Sequence, residues 1–201
     1  MLAAALKNMK TSIAEDGFVI AQGFFSADMV TEIRQRAEQV LAQRTQVSGN
    51  YTNVTKGLEK VDSFFAELMY NGPQVALVQQ LLGIKPIPAT TSLFTKNNRT
   101  EQVNPHSDAK TGAVIWVALD YCSYGNGCLH FLRGSHLRQQ EFAYLRPDRP
   151  NDLSDHPDKV AAVMKAGDMV LFHSTTVHWS GPNFDGSPRR GFNCFYTGKA
   201  G

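Results

Sequence analysis

The chain has 201 residues, 42% of them hydrophobic and 19% charged, with a formal net charge of +2. This is the composition of an ordinary folded protein, long enough for one domain with a sizeable core. Near-neutral charge, with Lys and Arg scattered apart from Arg189 and Arg190, gives no reason to expect nucleic acid or an anionic membrane as partner.

The apolar run over residues 1–6 is too short for a signal-peptide core and has no basic segment before it. No stretch reaches the length of a membrane span, so a cytoplasmic protein is expected. Phe18-Val19-Ile20 follows the Asp16-Gly17 turn and reads as a strand. Ser26 is a good N-cap, and Met29, Val30, Ile33, Ala37, Val40 and Leu41 recur at helical spacing, which predicts an amphipathic helix over 27–43. Residues 45–56 are polar and read as a loop. Phe64, Phe65, Leu68 and Met69 predict a second helix, broken at Asn71-Gly72-Pro73. A third runs over 74–82 and closes at Gly83.

After Pro88 short apolar runs alternate with turn residues, predicting strands over 90–95, 113–119, 128–132, 168–172, 176–179 and 190–197. Gly125-Asn126-Gly127 signals a hairpin. Helices first and strands second indicate an α+β chain: N-terminal helices packed on one sheet of a jelly roll, a cupin-like double-stranded β-helix. The whole of 1–201 reads as one domain, with 1–87 as helical support and 88–201 as the jelly-roll core. A polar, proline-rich insertion near 146–157 has the composition of a lid or an exposed linker, and His156 within it is expected to face solvent. Cys122, Cys128 and Cys194 are an odd, sparse set without CxxC spacing, so they read as reduced, at least partly buried thiols.

Pro105-His106-Ser107-Asp108 places an imidazole and a carboxylate two residues apart, a spacing that points both to one face of a strand. With a second histidine further along, such a pair completes the facial triad of two His and one carboxylate used by non-haem Fe(II) oxygenases. Alone the pair is a weak signal and reads first as a turn histidine beside a capping aspartate.

The C-terminal stretch reads Gly167-Asp-Met-Val-Leu-Phe-His-Ser-Thr-Thr-Val-His178-Trp-Ser-Gly-Pro-Asn183, followed by Pro188-Arg189-Arg190. Upstream lie Trp116-Val-Ala-Leu-Asp120, Asn126-Gly-Cys-Leu-His-Phe-Leu-Arg-Gly-Ser-His136 and the opening Glu15-Asp-Gly-Phe-Val-Ile20. In this order, over most of the chain, the motifs resemble those of the phytanoyl-CoA dioxygenase family of 2-oxoglutarate oxygenases. The resemblance implies Fe(II) bound by His106, Asp108 and His178, the catalytic residues, with 2-oxoglutarate and O2 as cosubstrates. The family's arginine lies eleven residues after the distal histidine and anchors the distal carboxylate of 2-oxoglutarate; here that residue is Arg189. Ser180 is expected to bond the same carboxylate, and Trp116 to donate its indole N–H to the cosubstrate or to be plain core. Thr90 and Ser92 share one strand face and are expected on the cosubstrate wall.

Arg190, one residue on, is expected on the opposite face and exposed. His173 occupies a position where the family also has a histidine that is not the ligand, and His130 and His136 read as supporting residues. The implied reaction is hydroxylation of a C–H bond of a small metabolite with release of succinate and CO2. The related radical halogenases lack the carboxylate that Asp108 retains. Desaturation, epimerisation and cyclisation remain open on the same platform, as does a non-catalytic cupin-like binding module. Seven residues separate Asp108 from Trp116, about half the family's usual loop, and Arg133 replaces a family proline. These departures leave the substrate unassigned beyond a small molecule. A homo-oligomer is possible and not readable.

Overall fold

A computed structural model describes residues 2–43, 54–108 and 112–200. Its first part carries the helices α1 (Leu2–Asp16), α2 (Ala27–Gln43), α3 (Ser63–Asn71) and α4 (Pro73–Leu82), with strands β1 (Phe18–Ala21) and β2 (Val54–Lys56) between them. The second part carries β3 (Ile84–Lys96), β4 (Val103–His106), β5 (Gly112–Ala118), β6 (Leu129–Leu132), β7 (Lys159–Ala162), β8 (Met169–His173), β9 (His178–Ser180) and β10 (Arg189–Ala200). The strands form two antiparallel sheets, a larger one in the order β1-β8-β5-β10-β3-β2 and a smaller one in the order β4-β9-β6-β7. This is the expected jelly roll.

Local chemistry explains the helix boundaries. The Ser26 Oγ accepts from the Met29 N–H at 3.2 Å at the start of α2, whose stripe Val30, Ile33, Ala37 and Val40 is buried. Asp62 caps α3 by accepting from the Phe64 N–H at 2.8 Å. Pro73 opens α4, and Gly83, with φ of 64°, closes it in the left-handed conformation that glycine adopts without strain.

The larger sheet is buried on both faces. Ala113, Ile115 and Val117 of β5 meet the helices together with Met169, Leu171, Phe192 and Tyr196. Val114, Trp116 and Ala118 face the space between the sheets with Phe18, Phe131, Val170 and Phe172. Period-2 alternation therefore sorts each strand into a helix-facing set and a barrel-facing set. Ile33 and Phe65 are fully buried on the helix side, where truncation to Ala costs about 2–5 kcal/mol.

Several features differ from the sequence expectations. Residues 2–16 form a helix, held by Leu6, Met9 and Ile13 against the helix-side core; a stripe this narrow carries little periodic signal. Strand β4 contains Pro105, tolerated because β4 is an edge strand, and β7 is a half-buried edge strand without alternation. Within the segment read as a loop over 45–56, Val54–Lys56 is a strand, and residues 45–53 lie outside the described residues. The Gly125-Asn126-Gly127 turn forms, with Cys128 N–H donating to Ser123 O at 2.9 Å, but it is not a hairpin. It carries the chain from β5 in the larger sheet to β6 in the smaller one.

In and beside the insertion, Phe142, Leu145 and Leu153 pack with Leu132, Val177 and Trp179. Trp179 alternates with His178 and Ser180, so these contacts lie on the outer face of the smaller sheet. Asn104 Nδ2 donates to Pro147 O at 3.0 Å, tying the insertion to β4. His156 is half-buried rather than exposed: its ring meets Phe142 edge-on and its Nδ1 accepts from the Asp158 N–H at 3.1 Å. All three cysteines are buried and free, as expected. No helix among the described residues is long and apolar enough to cross a membrane.

Candidate metal centre

Strands β4 and β9 pair at the edge of the smaller sheet, which sets His106 opposite His178 with ring centroids 4.4 Å apart. Each ring is oriented by a backbone carbonyl. His106 Nδ1 lies 2.7 Å from Asn104 O, and His178 Nδ1 lies 3.0 Å from Thr176 O. A carbonyl only accepts, so both Nδ1 atoms carry a proton, which leaves Nε2 as the atom each ring offers to a metal. Those two atoms point at one carboxylate: His106 Nε2 is 3.6 Å from Asp108 Oδ1, and His178 Nε2 is 3.7 Å from Asp108 Oδ2. Both distances exceed hydrogen-bonding range.

Asp108 does not continue the strand, as the two-residue spacing suggested. Strand β4 ends at His106, and Asp108 is placed by its own N–H, which donates to Ser174 O at 2.8 Å. The donor atoms of the three residues lie within 4.8 Å of one another. Burial, and then the neighbouring His178, push the His106 imidazole down to about 4, so it is neutral near pH 7. Two imidazoles with Nε2 turned to a shared space and one carboxylate beside them fit Fe(II) with its remaining positions open. Phe172, its ring 4.8 Å from that of His178, and Phe131 at 6.3 Å wall the apolar side. Asp108 is the exposed member and leaves the other side accessible.

The remaining histidines lie elsewhere. His173 stacks on His136 at 5.0 Å, and His136 Nε2 bonds to Ala14 O at 3.1 Å, joining the end of α1 to the barrel. His130 stacks on Trp179 at 5.4 Å, on the outer face of the smaller sheet.

A second polar cluster lies past the other end of β9. Arg189 is 2% exposed, its Nε donates to Gly127 O at 3.1 Å, and its Cζ lies 5.4 Å over the Trp116 ring. Trp116 fills the space above Gly191, where a Cβ would come within 1.8 Å of the indole. Ser180 is buried two residues after His178, on the same strand face. Ser92 and Thr90 lie in register with Asn193 and Phe195, on the β3 face that carries Phe94 into the barrel.

Arg190 faces the opposite way, toward the helices. It is not the exposed residue expected: its Nε and Nη2 grip the Asp120 carboxylate at 2.9 Å each, and its Nη1 meets Glu38 at 2.7 Å. Burial alone would raise the Asp120 carboxyl; the Arg190 hydrogen bonds, with Arg34 behind, outweigh it and hold it below its usual range.

Two barrel-facing residues escaped the sequence reading. Lys96 pairs in register with Arg189, is 3% exposed, and donates from Nζ to Glu101 O at 2.7 Å and Gly181 O at 2.6 Å. Continuing the Thr90, Ser92 alternation by two more steps reaches it. Asn193 has a buried Oδ1 without a hydrogen-bond partner. Among the described residues no carboxylate forms an ion pair with Lys96 or Arg189. The nearby Cys122 and Cys128 thiols, pushed by burial up to about 12 and about 11, stay neutral and supply no counter-charge. Buried cations without an anion are costly, so the chemistry of this cluster fits an anionic group.

The family model for phytanoyl-CoA dioxygenase (PhyH) matches residues 13–191. A phytanoyl-CoA dioxygenase from Arabidopsis thaliana is 25% identical over 167 residues, covering 76% of this chain and 58% of that protein. This chain thus spans little more than half of that relative. Phytanoyl-CoA dioxygenase domain-containing protein 1 of Mus musculus is 23% identical, covering 93% of this chain and 88% of its own length. Among solved structures, the non-heme alpha ketoglutarate dependent epimerase SnoN from nogalamycin biosynthesis aligns with a TM-score of 0.81 at 24% identity, over 97% of this chain and 84% of SnoN. EctD from S. alaskensis, with 2-oxoglutarate and 5-hydroxyectoine, aligns with a TM-score of 0.79 at 21% identity, over 94% of this chain and 75% of EctD. With the family model covering most of its length, the chain belongs to the phytanoyl-CoA dioxygenase family.

Proposed function

We propose that this protein is an Fe(II)/2-oxoglutarate-dependent dioxygenase that hydroxylates a C–H bond of a small metabolite. The observation that carries the reading is the aim of two imidazole Nε2 atoms at one carboxylate, with the donors of His106, Asp108 and His178 within 4.8 Å. When bound, iron and 2-oxoglutarate supply, with O2, an oxidant able to attack a C–H bond, and 2-oxoglutarate leaves as succinate and CO2.

The chain's own residues do the rest. Asn104 O and Thr176 O fix the tautomer and direction of the two imidazoles. Phe131 and Phe172 keep water from the inner side of His178. Arg189, whose planar fork suits a carboxylate, anchors the distal end of the cosubstrate, with Ser180 beside it and Trp116 beneath the guanidinium. Thr90 and Ser92 line the β3 side of the same space. The exposed Asp108 leaves the substrate side of the metal open, which suits a small molecule entering from solvent.

Anaerobic addition of 2-oxoglutarate to the Fe(II)-loaded protein is expected to produce a weak charge-transfer absorption, followed by succinate on admitting oxygen. Absence of both sinks the reading in favour of a binding module. Epimerisation or ring closure is the second reading, supported by the fold shared with the epimerase SnoN and the carbocyclase SnoK. Product mass separates them: hydroxylation adds one oxygen atom, ring closure removes two hydrogens and epimerisation changes nothing.

A further inference from the structure

We propose that Lys96 is a second cation for the distal carboxylate of the bound 2-oxoacid, acting beside Arg189. This assignment rests on the 2-oxoglutarate reading above and adds a residue to it.

The geometry converges on Gly127. Its carbonyl accepts from Arg189 Nε at 3.1 Å, and a Cβ built on its Cα would lie 3.1 Å from Lys96 Cδ and 2.4 Å from Gly181 O. Gly181 O is the same carbonyl that Lys96 Nζ holds at 2.6 Å, and Gly181 directly follows Ser180. The ends of β3 and β10 that carry the two cations are in register, Arg189 opposite Lys96. A glycine at 127, with φ of 82°, is what lets the two side chains close around one spot.

Donor counting leaves Lys96 with capacity. An ammonium has three N–H donors. Two are taken by the carbonyls of Glu101 and Gly181, which fixes the direction of the third. Those carbonyls are neutral dipoles and do not cancel the charge. Each cation also works against its neighbour: burial, with the Arg189 charge added, pushes the Lys96 ammonium down to about 7. Asp120 is gripped by Arg190 on the far side of the sheet, so it is not the missing partner. A dianionic chelator with one carboxylate at the metal and the other between Arg189 and Lys96 resolves this repulsion. A 2-oxoacid that lacks the distal carboxylate leaves it in place. Lys96 is therefore a specificity residue for the cosubstrate as well as an affinity residue.

The test is calorimetric binding of 2-oxoglutarate and of oxalate to the Mn(II)-loaded protein, which cannot turn over. Oxalate has the chelating end alone. Wild type, Lys96→Met, Lys96→Arg and Arg189→Met are compared. Lys96→Met is expected to weaken 2-oxoglutarate by about tenfold or more, from the loss of one charged hydrogen bond. Oxalate should stay within about twofold, and Lys96→Arg should recover most of the loss. Equal 2-oxoglutarate affinity in Lys96→Met and wild type overturns the proposal. So does a parallel loss for both ligands, which marks Lys96 as a structural tie between β3 and the Gly181 segment. Should Lys96→Met fail to fold, Lys96→Gln answers the same question through the same ratio of the two ligands. If wild type binds Mn(II) and oxalate but not 2-oxoglutarate, the cosubstrate reading itself fails, an outcome distinct from either.

Discussion

The two ends of β9 hold polar clusters of opposite character. At His178 the donors are two imidazoles and a carboxylate, each ring is set by a backbone carbonyl two residues earlier in the chain, and the carboxylate reaches solvent. Past Ser180 the groups are cationic, almost wholly buried and held by carbonyls far away in sequence: Gly127 for Arg189, Gly181 for Lys96. The first end could hold a cation, and the other end already has two. The lesson is that one strand of a barrel can hold metal-type donors at one end and unpaired buried cations at the other, and under the proposed function a single chelating dianion would relieve both.

Breaking the metal end should have the largest effect. His178→Ala removes one of three protein donors and is expected to abolish Fe(II) binding, read by metal titration, and with it all succinate release. Next comes Arg189→Met, expected to raise the 2-oxoglutarate requirement by about tenfold to a hundredfold while leaving Fe(II) affinity unchanged. Its neighbour supplies the contrast. Arg190→Ala should leave that requirement within about twofold and lower the thermal midpoint, because it removes the two-pronged partner of the Asp120 carboxylate and leaves Arg34 as its one cation. A reversal of these two results moves the anchor to Arg190 and dissolves the comparison.

A smaller effect is expected from Gly191→Ala, whose Cβ collides with the Trp116 ring. Overpacking of this kind costs about 1–3 kcal/mol, seen as a lower midpoint, with 2-oxoglutarate affinity reduced and Fe(II) affinity spared.

The smallest lies outside both ends. Burial, then His136, pushes the His173 imidazole down to about 4. The native state then binds fewer protons than the unfolded chain between that value and the ordinary one of about 6.5. Stability is therefore full above about 6.5 and falls as the pH drops toward 4. His173→Gln should flatten that part of the melting-temperature profile without touching metal or 2-oxoglutarate binding. An unchanged slope would assign the acid sensitivity to His106 and His130, which are also pushed down to about 4.

The contrast also explains what could be read without coordinates. Helix α2 was legible to the residue, because its stripe and its Ser26 cap are local signals. The cluster of His106, Asp108 and His178 was legible because the first two sit close in the chain and His178 lies within a dense motif. Strands β4 and β7 were not, since edge strands with a proline or half-exposed residues carry no period. The turn at Gly125-Asn126-Gly127 was legible as a turn, but the sheet that its far side joins is a matter of long-range pairing. Lys96 was hidden for a similar reason. A lysine at a strand end reads as a surface residue until carbonyls at Glu101 and Gly181 are found to enclose it.

The placement of the two tryptophans makes the molecule its own spectroscopic instrument. Trp116 lies inside the barrel with the Arg189 guanidinium 5.4 Å over its ring, whereas Trp179 lies on the outer face of the smaller sheet, stacked on His130. The emission of the first is expected to answer to charge arriving at Arg189, and that of the second to protonation of His130, whose imidazole burial pushes down to about 4. In a Trp179→Phe background a single tryptophan remains, so an anion reaching the cationic cluster is expected to register in its emission, before any metal is added.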